Sequence, residues 1–405
     1  MGALAYQQIS EPVFERRGVA ELTRMAFNGE DLTPLANELL IASANNPGDA
    51  GVLMDLAMVE QLRGNLEAGL QYQINALQIS PLFTVAPDRN TRTRVLVIAA
   101  PIRMGGNTPI EFLLENSDIE VVTLFIAPGL PLPEVLPDHD IAFVAAPGDS
   151  DDTRQFLEEI DRRLPDLPRP ALNSPAAIAE LDRDRLCELL ADQPGIVSPL
   201  SIRCSRKTVQ DIAEGKAEID GLYPFVIRPV GSHAGRGLER MQFREEILPY
   251  LLSQDADEFF VTQYVDYRSE DGLYRKYRIV FIAGQPYACH MAIGEHWKLW
   301  YMNAEMEKSR FKLVEEQEFM TCFNEDFGVK HQTALQQIAE RVGLEYFGID
   351  CAETRDGELV VFEADNSLIV HDMDPKETFP YKSEQMQKVF KAFQEMLHTG
   401  ANALR

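Results

Sequence analysis

The sequence has few cysteines, and they are not arranged for a cross-linked or metal-bound framework. Five occur among 405 residues, and none belongs to a Cys-x-x-Cys pair. An odd, scattered set is typical of reduced thiols and argues against a disulfide scaffold or a zinc site. The sequence also lacks a secretory leader and any apolar run approaching about 18 residues. We therefore expect a soluble, cytoplasmic protein.

Basic residues are scarce as well. Lysine and arginine number 38 against 64 aspartates and glutamates, which gives a formal net charge of −26. This balance argues against a protein that holds nucleic acid or an anionic membrane surface by charge. The acidity either favours a basic substrate or partner or serves solubility alone. The length predicts about two to four domains.

Residues 20–81 carry the periodicity of helices. Pro47 and Pro81 lie 34 residues apart, with a turn at 62–65 between two helical stretches. This length and turn resemble one tetratricopeptide repeat, so we expect a helical region over residues 1–90. A single repeat must bury its apolar face on a neighbour. The sequence leaves open whether the region recognises a substrate or only caps the rest of the chain.

Residues 94–163 alternate between strand and helix patterns after a polar stretch at 82–93 that we interpret as a linker. The expected elements are strands at 94–100, 119–126 and 140–145 and helices at about 107–116 and 151–163. This order predicts a small parallel sheet in an α/β domain of residues 91–185. The Met104-Gly105-Gly106-Asn107 segment after the first strand does not match Gly-x-Gly-x-x-Gly, which argues against a dinucleotide site.

From about residue 222 the pattern changes to paired strands. The expected pairs are 223–229 with 238–243, 277–283 with 286–293, and 347–354 with 358–365, and the expected helices are 244–253, 331–342 and 381–397. The second half is therefore predicted to be α+β, with antiparallel sheets, behind the α/β domain.

The last predicted hairpin brings three carboxylates to one face. Asp356-Gly357 is typical of a two-residue type I′ turn, which places Asp350 opposite Glu363 and Asp365 on the same face. Phe362 belongs to the opposite, apolar face and is expected in the core. Directly opposed carboxylates are destabilising unless a cation lies between them. Oxygen ligands without His or Cys indicate Mg²⁺ or Mn²⁺, and the alternative is a solvated acidic edge.

A glycine-rich segment at 224–238 is the second candidate. A strand carrying Arg228 leads into a loop with three glycines, and another strand follows. Glycine allows backbone N–H groups to approach phosphate oxygens. The loop is not of the Walker A type, because no Gly-Lys-Ser/Thr and no helix follow. The third candidate, at 258–266, is a strand that runs into a polar turn.

In this order the three elements resemble the ATP-grasp superfamily. The likeness is closest to the branch of bacterial glutathione synthetase, D-alanine–D-alanine ligase and the ligases that add glutamate to a ribosomal protein. It covers roughly residues 94–397 and implies a small lobe at 186–270 and a large lobe at 271–405. It also implies an ATP-dependent ligase that joins a carboxylate to an amine through an acyl phosphate, with Mg²⁺ or Mn²⁺. An amino acid or peptide substrate is expected, and a homodimer is left open.

The resemblance further implies roles for individual residues. Arg278 and Arg228 would stabilise the transferred phosphate, and Asp350, Glu363 and Asp365 would bind the metal ion. ATP would be bound by Arg185, Arg228, Ser232, His233, Gly235, Gly237, Gln263, Tyr264, Val265 and Asp266. Candidates for substrate contacts are His290, His296, Lys298, Asn303 and His371, although any one of these histidines is more typical of a structural residue.

This sequence departs from the family pattern at several positions. The family usually has lysine where Arg185 and Arg228 stand, but arginine keeps the charge and can hold phosphate in a bidentate way. Asp365 replaces the usual asparagine and adds negative charge. The ribose-binding acid would fall near Lys276, so Asp266 is taken as its substitute. Two rival functions remain: a small-molecule kinase on the same fold, and a non-catalytic nucleotide-binding adaptor that presents the helical repeat.

Overall fold

The computed structural model describes residues 13–218, 223–232 and 235–403. The described chain begins with strand β1 (Phe14–Glu15), four helices, namely α1 (Val19–Phe27), α2 (Thr33–Asn45), α3 (Ala50–Leu62) and α4 (Leu66–Ile79), and strand β2 (Leu82–Val85). Helices α3 and α4 pack closely as a hairpin, since a Cβ at Gly69 would lie 2.5 Å from Gln61 Cγ. The helices predicted for residues 20–81 are confirmed. Their assignment to the tetratricopeptide repeat family stays a prediction.

A six-stranded sheet forms the α/β domain. Its further elements are β3 (Thr93–Ala99), α5 (Ile110–Leu113), β4 (Ile119–Phe125), β5 (Ile141–Val144), α6 (Asp151–Arg163) and β6 (Ala171–Leu172). The strand order is β1-β2-β4-β3-β5-β6, and the four strands β3 to β6 are parallel. The predicted parallel sheet is confirmed, whereas the helix expected at 107–116 is reduced to a single turn.

The linker predicted for residues 82–93 is wrong at its start. Leu82–Val85 forms strand β2, which pairs antiparallel with β4. Leu82 and Phe83 are completely buried, and the ring of Phe83 packs edge-on against Phe125 with centroids 5.8 Å apart. Four apolar or β-branched residues are enough to complete a sheet edge when helices cover it. The helical region therefore shares a sheet with the α/β domain.

The small lobe follows a short connection. The connection contains α7 (Pro175–Ile178), α8 (Arg183–Leu189) and β7 (Ile196–Val197), and the lobe consists of β8 (Ser201–Ser205), α9 (Arg206–Ala213), β9 (Phe225–Pro229), β10 (Glu239–Met241), α10 (Ile247–Leu252) and β11 (Glu258–Gln263). Its sheet is antiparallel with the order β10-β9-β11-β8. Side chains of alternate strand positions, such as Phe225, Ile227, Phe259 and Val261, form a separate core with the two helices.

The large lobe contains a five-stranded sheet with the order β13-β12-β14-β15-β7. Its elements are β12 (Tyr274–Ile282), β13 (Gln285–Gly294), α11 (Arg310–Thr321), α12 (Phe327–Lys330), α13 (Gln332–Val342), β14 (Tyr346–Glu353), β15 (Leu359–Asp365) and α14 (Lys382–Ala403). Short 3-10 helices cover Leu164–Asp166, Ala179–Leu181, Arg244–Glu246, Tyr301–Asn303 and Met306–Lys308. The predicted hairpins and the mixed α/β fold class are confirmed.

The large lobe is anchored to the α/β domain by aromatic packing and one buried amide. Phe393 of α14 packs edge-on against both Phe143 and Tyr346, with centroids 5.6 and 5.0 Å apart. Asn173 is fully buried, and its side chain donates to Tyr346 O at 2.7 Å and accepts from Tyr346 N at 2.9 Å. The two domains therefore form a common core.

No helix in the described part of the chain is both long and apolar enough to cross a membrane.

Candidate active site

A cleft of about 940 Å³ lies between the small and large lobes. One wall is the face of the large-lobe sheet that carries Arg278 and Asp350, and the opposite wall comes from β9 and the glycine-rich loop. The α/β domain closes one end with the segments around 102–106 and 147–153. All three parts of the chain that were predicted to act together therefore meet in one space.

The hairpin of β14 and β15 sets the positions of the acidic residues. Asp350 lies opposite Glu363 and Gly348 opposite Asp365, as predicted. The predicted two-residue turn is wrong, however, because Thr354 pairs with Glu358 and closes a three-residue loop. The longer loop shifts the pairing register by one residue, and a bulge between Asp350 and Cys351 shifts it back.

The bulge also changes the surroundings of Phe362, which was expected in the core. Phe362 is half-buried and lines the cleft, where its ring packs against Tyr267 with centroids 5.0 Å apart. At a bulge, two neighbours of one strand oppose a single residue of the other, so strict alternation between faces is interrupted. Phe362 and Glu363 therefore both reach the cleft.

Asp350 is buried between two cations of β12. Arg278 donates to both of its carboxylate oxygens, with Nε to Oδ1 at 2.8 Å and Nη2 to Oδ2 at 3.2 Å. Lys276 Nζ lies 2.8 Å from Oδ2. Burial alone would raise the pKa of Asp350, but Arg278 and Lys276 hold it well below its ordinary value. Asp350 therefore stays ionised and fixes the guanidinium of Arg278 in the cleft wall.

The other two predicted metal ligands have different partners. Glu363 is paired with Arg183. Asp365 accepts hydrogen bonds from Ser367, at 2.7 Å from N and 2.8 Å from Oγ. Burial raises the pKa of Asp365, and the nearby carboxylates of Asp149 and Glu363 raise it further. A local excess of negative charge therefore surrounds Asp365.

These carboxylates suit a magnesium ion by their chemistry. Their donor atoms are all oxygens, the ligands that Mg²⁺ prefers. A divalent cation would also relieve the repulsion that raises the pKa of Asp365. Across residues 13–218, 223–232 and 235–403, no three His, Cys, Asp or Glu side chains are already gathered closely enough to share an ion. Binding would therefore require these side chains to move closer together.

Arg228 lies buried beside a second guanidinium. It reaches the cleft from β9 and donates to Ser232, through Nε to Oγ at 3.1 Å and through Nη2 to the carbonyl oxygen. Burial, followed by the charge of Arg183, lowers the pKa of Arg228 to about 9. With a pKa of about 9, Arg228 remains charged at neutral pH. An anion such as a phosphate group between the two guanidiniums would be strongly favoured.

The glycine-rich loop bends over the cleft. Gly231, Gly235 and Gly237 have φ values of 69°, 67° and 64°, a region that glycine adopts without strain. A Cβ at Gly235 would lie 3.4 Å from the ring of Trp300 on the large lobe, so the two lobes nearly touch there. Ser232 contacts Arg228 but does not line the cleft, and Gly237 does not line it either. His233 falls outside the described residues.

The segment between the lobes contributes Gln263, Tyr264 and Val265 to the cleft lining, as predicted. Asp266, the expected ribose ligand, is exposed and lies outside that lining. Its carboxylate accepts from Arg268 N at 3.1 Å and pairs with the Arg268 guanidinium at 3.3 Å. The polar turn after β11 thus directs Asp266 to the surface.

Arg185 is also outside the cleft, because it is exposed and paired with Glu180 at 2.7 Å. Arg183, two positions earlier on α8, occupies the cleft in its place. Residues two apart on a helix point in different directions, so only one of them can face the cleft. Arg183 was not among the residues predicted to bind ATP.

The predicted substrate residues divide into two groups. His290 and Lys298 line the cleft, whereas His296 and Asn303 are exposed and His371 lies behind the wall. Asn303 stabilises its own loop, with Oδ1 accepting from Trp300 N at 2.9 Å. Burial, with Arg278 and Lys382 nearby, holds the pKa of His290 well below its ordinary value. The imidazole of His290 is therefore neutral at pH 7.

Asp149 is the second cleft residue that the sequence analysis missed. It follows the carboxyl end of β5 in the parallel sheet. Side chains at the carboxyl ends of parallel strands are the usual ligand contacts of α/β folds, and this rule would have pointed to it. Trp297, Trp300 and Tyr301, which were not among the predicted site residues, also line the cleft.

No protein-family model and no curated protein matches the sequence. Among solved structures, the chain is similar to VanG, a D-Ala:D-Ser ligase from Enterococcus faecalis, with 14% identity over 77% of this chain and 100% of that one, at a TM-score of 0.45. The D-alanyl-alanine synthetase A from Vibrio cholerae has 15% identity over 78% of this chain and 99% of that one, at a TM-score of 0.45. A RimK domain ATP-grasp protein from Sphaerobacter thermophilus has 16% identity over 75% of this chain and 99% of that one, at a TM-score of 0.42.

Proposed function

We propose that this chain is an ATP-dependent ligase of the ATP-grasp type that joins a carboxylate to an amine through an acyl phosphate. The main support is one observation: two guanidiniums, Arg183 and Arg228, share the cleft with the carboxylates of Glu363 and Asp365. Such a pairing of anion-binding and cation-binding groups suits a nucleotide phosphate with its metal ion.

The phosphates of ATP would lie under the glycine-rich loop. Arg183 and Arg228 supply positive charge there, and Gly231 and Gly235 allow close backbone approach. The base would lie against Tyr264 and Phe362 at the segment between the lobes. Mg²⁺, held by Glu363 and Asp365 with help from Asp350, would neutralise charge on the phosphate oxygens.

The chemistry would occur next to Arg278. A substrate carboxylate attacks the terminal phosphorus of ATP, ADP leaves, and the amine then displaces phosphate from the acyl phosphate. Arg278 carries charge that can stabilise the oxygens of both steps, and its bidentate contact with Asp350 keeps it in position. The loop of Trp300 and the glycine-rich loop together would exclude water, which would otherwise hydrolyse the intermediate.

The substrates are proposed to be amino acids or peptides. Beyond Arg278 the cleft is bounded by apolar side chains, among them Ile102, Met104, Met302 and Ile369, together with the cations Arg103 and Lys298. Apolar walls with a few cations suit a carboxylate that carries an apolar side chain. A nucleic-acid substrate is disfavoured by the net charge of −26.

The test is an ATPase assay with an equimolar mixture of the standard amino acids, MgCl₂ and hydroxylamine. A ligase should release ADP only when a carboxylate is present and should form hydroxamates detectable by mass spectrometry. A kinase would release ADP without hydroxamate and give a stable phosphorylated product. A protein that binds ATP without any turnover across amino acids and dipeptides would be an adaptor, and the proposal would then be wrong.

A further inference from the structure

The loop after β3 separates the cleft from the helical region. We call residues 101–106 the wall loop, since residues 102–106 line the cleft beyond the phosphate end. The reverse side of this loop faces the helical region, with Met104 packed against the apolar cluster of α1, α2 and α3. The loop thus belongs to the α/β domain by sequence but is supported by the helical region.

Two glutamine side chains of the helical region bind the backbone of the wall loop. Gln61 of α3 accepts from Met104 N at 2.8 Å through Oε1. Gln73 of α4 is 3% exposed and donates through Nε2 to Ile102 O at 3.1 Å. A buried amide on an otherwise apolar helix face is costly unless it is bonded, so the contact of Gln73 is strongly specified.

The hydrogen bonds matter because packing alone does not fix the loop. A small cavity of about 60 Å³ lies behind it, lined by Gln73, Ile102, Met104 and Gly105 among others. A close-packed backing would hold the loop by itself, but empty volume leaves room for displacement. Without the two amides the loop could move away from the cleft and enlarge it.

A second cleft segment is backed by the same region. Ser367, Leu368 and Ile369 line the cleft, and His371 just after them packs against Phe27 of α1, with ring centroids 5.9 Å apart. The helical region therefore touches both backbone segments that bound the far end of the cleft.

We propose that the helical region braces the substrate end of the cleft, and that Gln61 and Gln73 are positioning residues for the carboxylate or amine substrate. The inference rests on the proposed ligase function for what the cleft binds. It answers the question left open by the sequence: the helices shape the site from behind without contacting the substrate. Loss of either amide should loosen the wall loop and weaken substrate binding, with no effect on the distant nucleotide.

The test uses the full-length protein with Gln61→Met, Gln73→Leu and the double variant. Gln71→Leu is the matched control for Gln73→Leu. Gln71 lies on the same helix as Gln73 but is exposed, and in the described structure its side chain bonds only to Asn75. Gln61→Glu keeps the acceptor for Met104 N and should behave as wild type. Hydrogen exchange of the 102–106 amides is measured together with the apparent KM for the amino-acid mixture and for ATP.

Each lost hydrogen bond should raise both the exchange rate of the wall loop and the amino-acid KM by about fivefold, which corresponds to a typical net hydrogen bond. The KM for ATP should stay unchanged. Unchanged exchange, or an equal loss for ATP and amino acids, would overturn the proposal. If the double variant does not fold, the comparison of Gln61→Met with Gln61→Glu tests the proposal. If the wild type makes no hydroxamate, the ligase function fails, while the exchange measurement still decides whether the brace exists.

Discussion

Asp350 holds two cations at once, and this makes it both a structural and a functional residue. Its carboxylate accepts from Arg278 and lies against Lys276 in a buried wall. Removing one partner from a buried ionic cluster leaves charge without compensation. Its neighbour across the hairpin, Glu363, is half-buried and stands among other carboxylates. The two acids should therefore respond differently to neutral substitution.

Asp350→Asn should abolish turnover and lower the free energy of unfolding by about 3 kcal/mol, the usual cost of breaking a buried pair. Glu363→Gln should also abolish turnover but change stability by less than about 1 kcal/mol, since it removes repulsion as well as a pair. Urea denaturation and the ADP assay measure both quantities. Equal stability of Asp350→Asn and wild type would show that the cluster is not a unit.

Arg228→Ala should weaken ATP binding by about 1.5–3 kcal/mol, the usual contribution of a charged hydrogen bond. Arg228→Lys should be milder because it keeps the charge and loses only the forked contact with Ser232. Arg185→Ala is the control, since that side chain is exposed and pairs with Glu180. If calorimetry shows the larger effect for Arg185→Ala, then Arg185, as first predicted, contacts the phosphate.

Asp55 gives a pH dependence that can be assigned to one group. Burial raises its pKa from 3.8 to about 6, although it accepts from Arg17 N at 2.9 and 3.1 Å. Between these pH values the folded protein binds more protons at this site than the unfolded chain. Stability should therefore fall as pH rises from about 4 to 6, by at most about 3 kcal/mol.

The measurement compares the wild type with Asp55→Asn across this range. The stability of the variant relative to wild type should rise with pH up to about 6 and then level off. The difference between the two proteins removes the contribution of all other carboxylates. A difference that is flat with pH would mean that Asp55 has an ordinary pKa.

At the scale of single residues, the sequence predicts the position of a side chain when that residue lies on a strand, because alternation along the strand fixes the face to which the side chain points. Asp350 and Glu363 follow from alternation and register, whereas Arg278 was implied by the family resemblance, and all three lie in the cleft. Arg185 and Asp266 do not, because a helix start and a polar turn can point either way. The choice of Arg183 rather than Arg185 as the residue of α8 that faces the cleft depends on tertiary packing, and so does the contact between Asp266 and Arg268. No local sequence pattern encodes that packing.

At the scale of elements, the β14–β15 hairpin was predicted with correct pairing at the acids and a wrong turn. The three-residue loop and the bulge shift the register in opposite directions and cancel at Asp350. Neither is visible in the alternation pattern, because each is a single-residue irregularity. The bounds of α6 were predicted correctly, since Ser150 caps it by accepting from Thr153 N.

Close packing of α3 on α4 depends on Gly69. A Cβ there would lie 2.5 Å from Gln61 Cγ and 2.7 Å from Ala57 O. Gly69→Ala should therefore push the helices apart and lower the free energy of unfolding by about 1–3 kcal/mol, as overpacking does. Thermal denaturation against Glu67→Ala, an exposed change on the same helix, is the measurement. A stabilised variant would mean that the higher helix propensity of alanine outweighs the contact.

At the scale of the whole molecule, the helical region and the α/β domain cannot be separated at residue 90. Strand β2 belongs to the sheet, and Phe83 shares an apolar cluster with α3, α4 and Phe125. Deleting residues 1–90 should expose this cluster and the edge of β4, so the truncated protein should aggregate or melt several degrees lower. Light scattering and calorimetry test this. A soluble product with an unchanged Tm would contradict the shared core.

Both tryptophans of the chain stand in the wall of the cleft. Trp297 lies edge-on to Tyr264 in the segment between the lobes, and Trp300 lies close to Gly235 in the glycine-rich loop. The unmodified protein therefore carries its own optical reporter, with no indole elsewhere to dilute the signal. If the cleft binds ATP as proposed, emission from this pair should report nucleotide entry on one side and loop movement on the other, so both events could be timed in a stopped-flow instrument without attaching a dye.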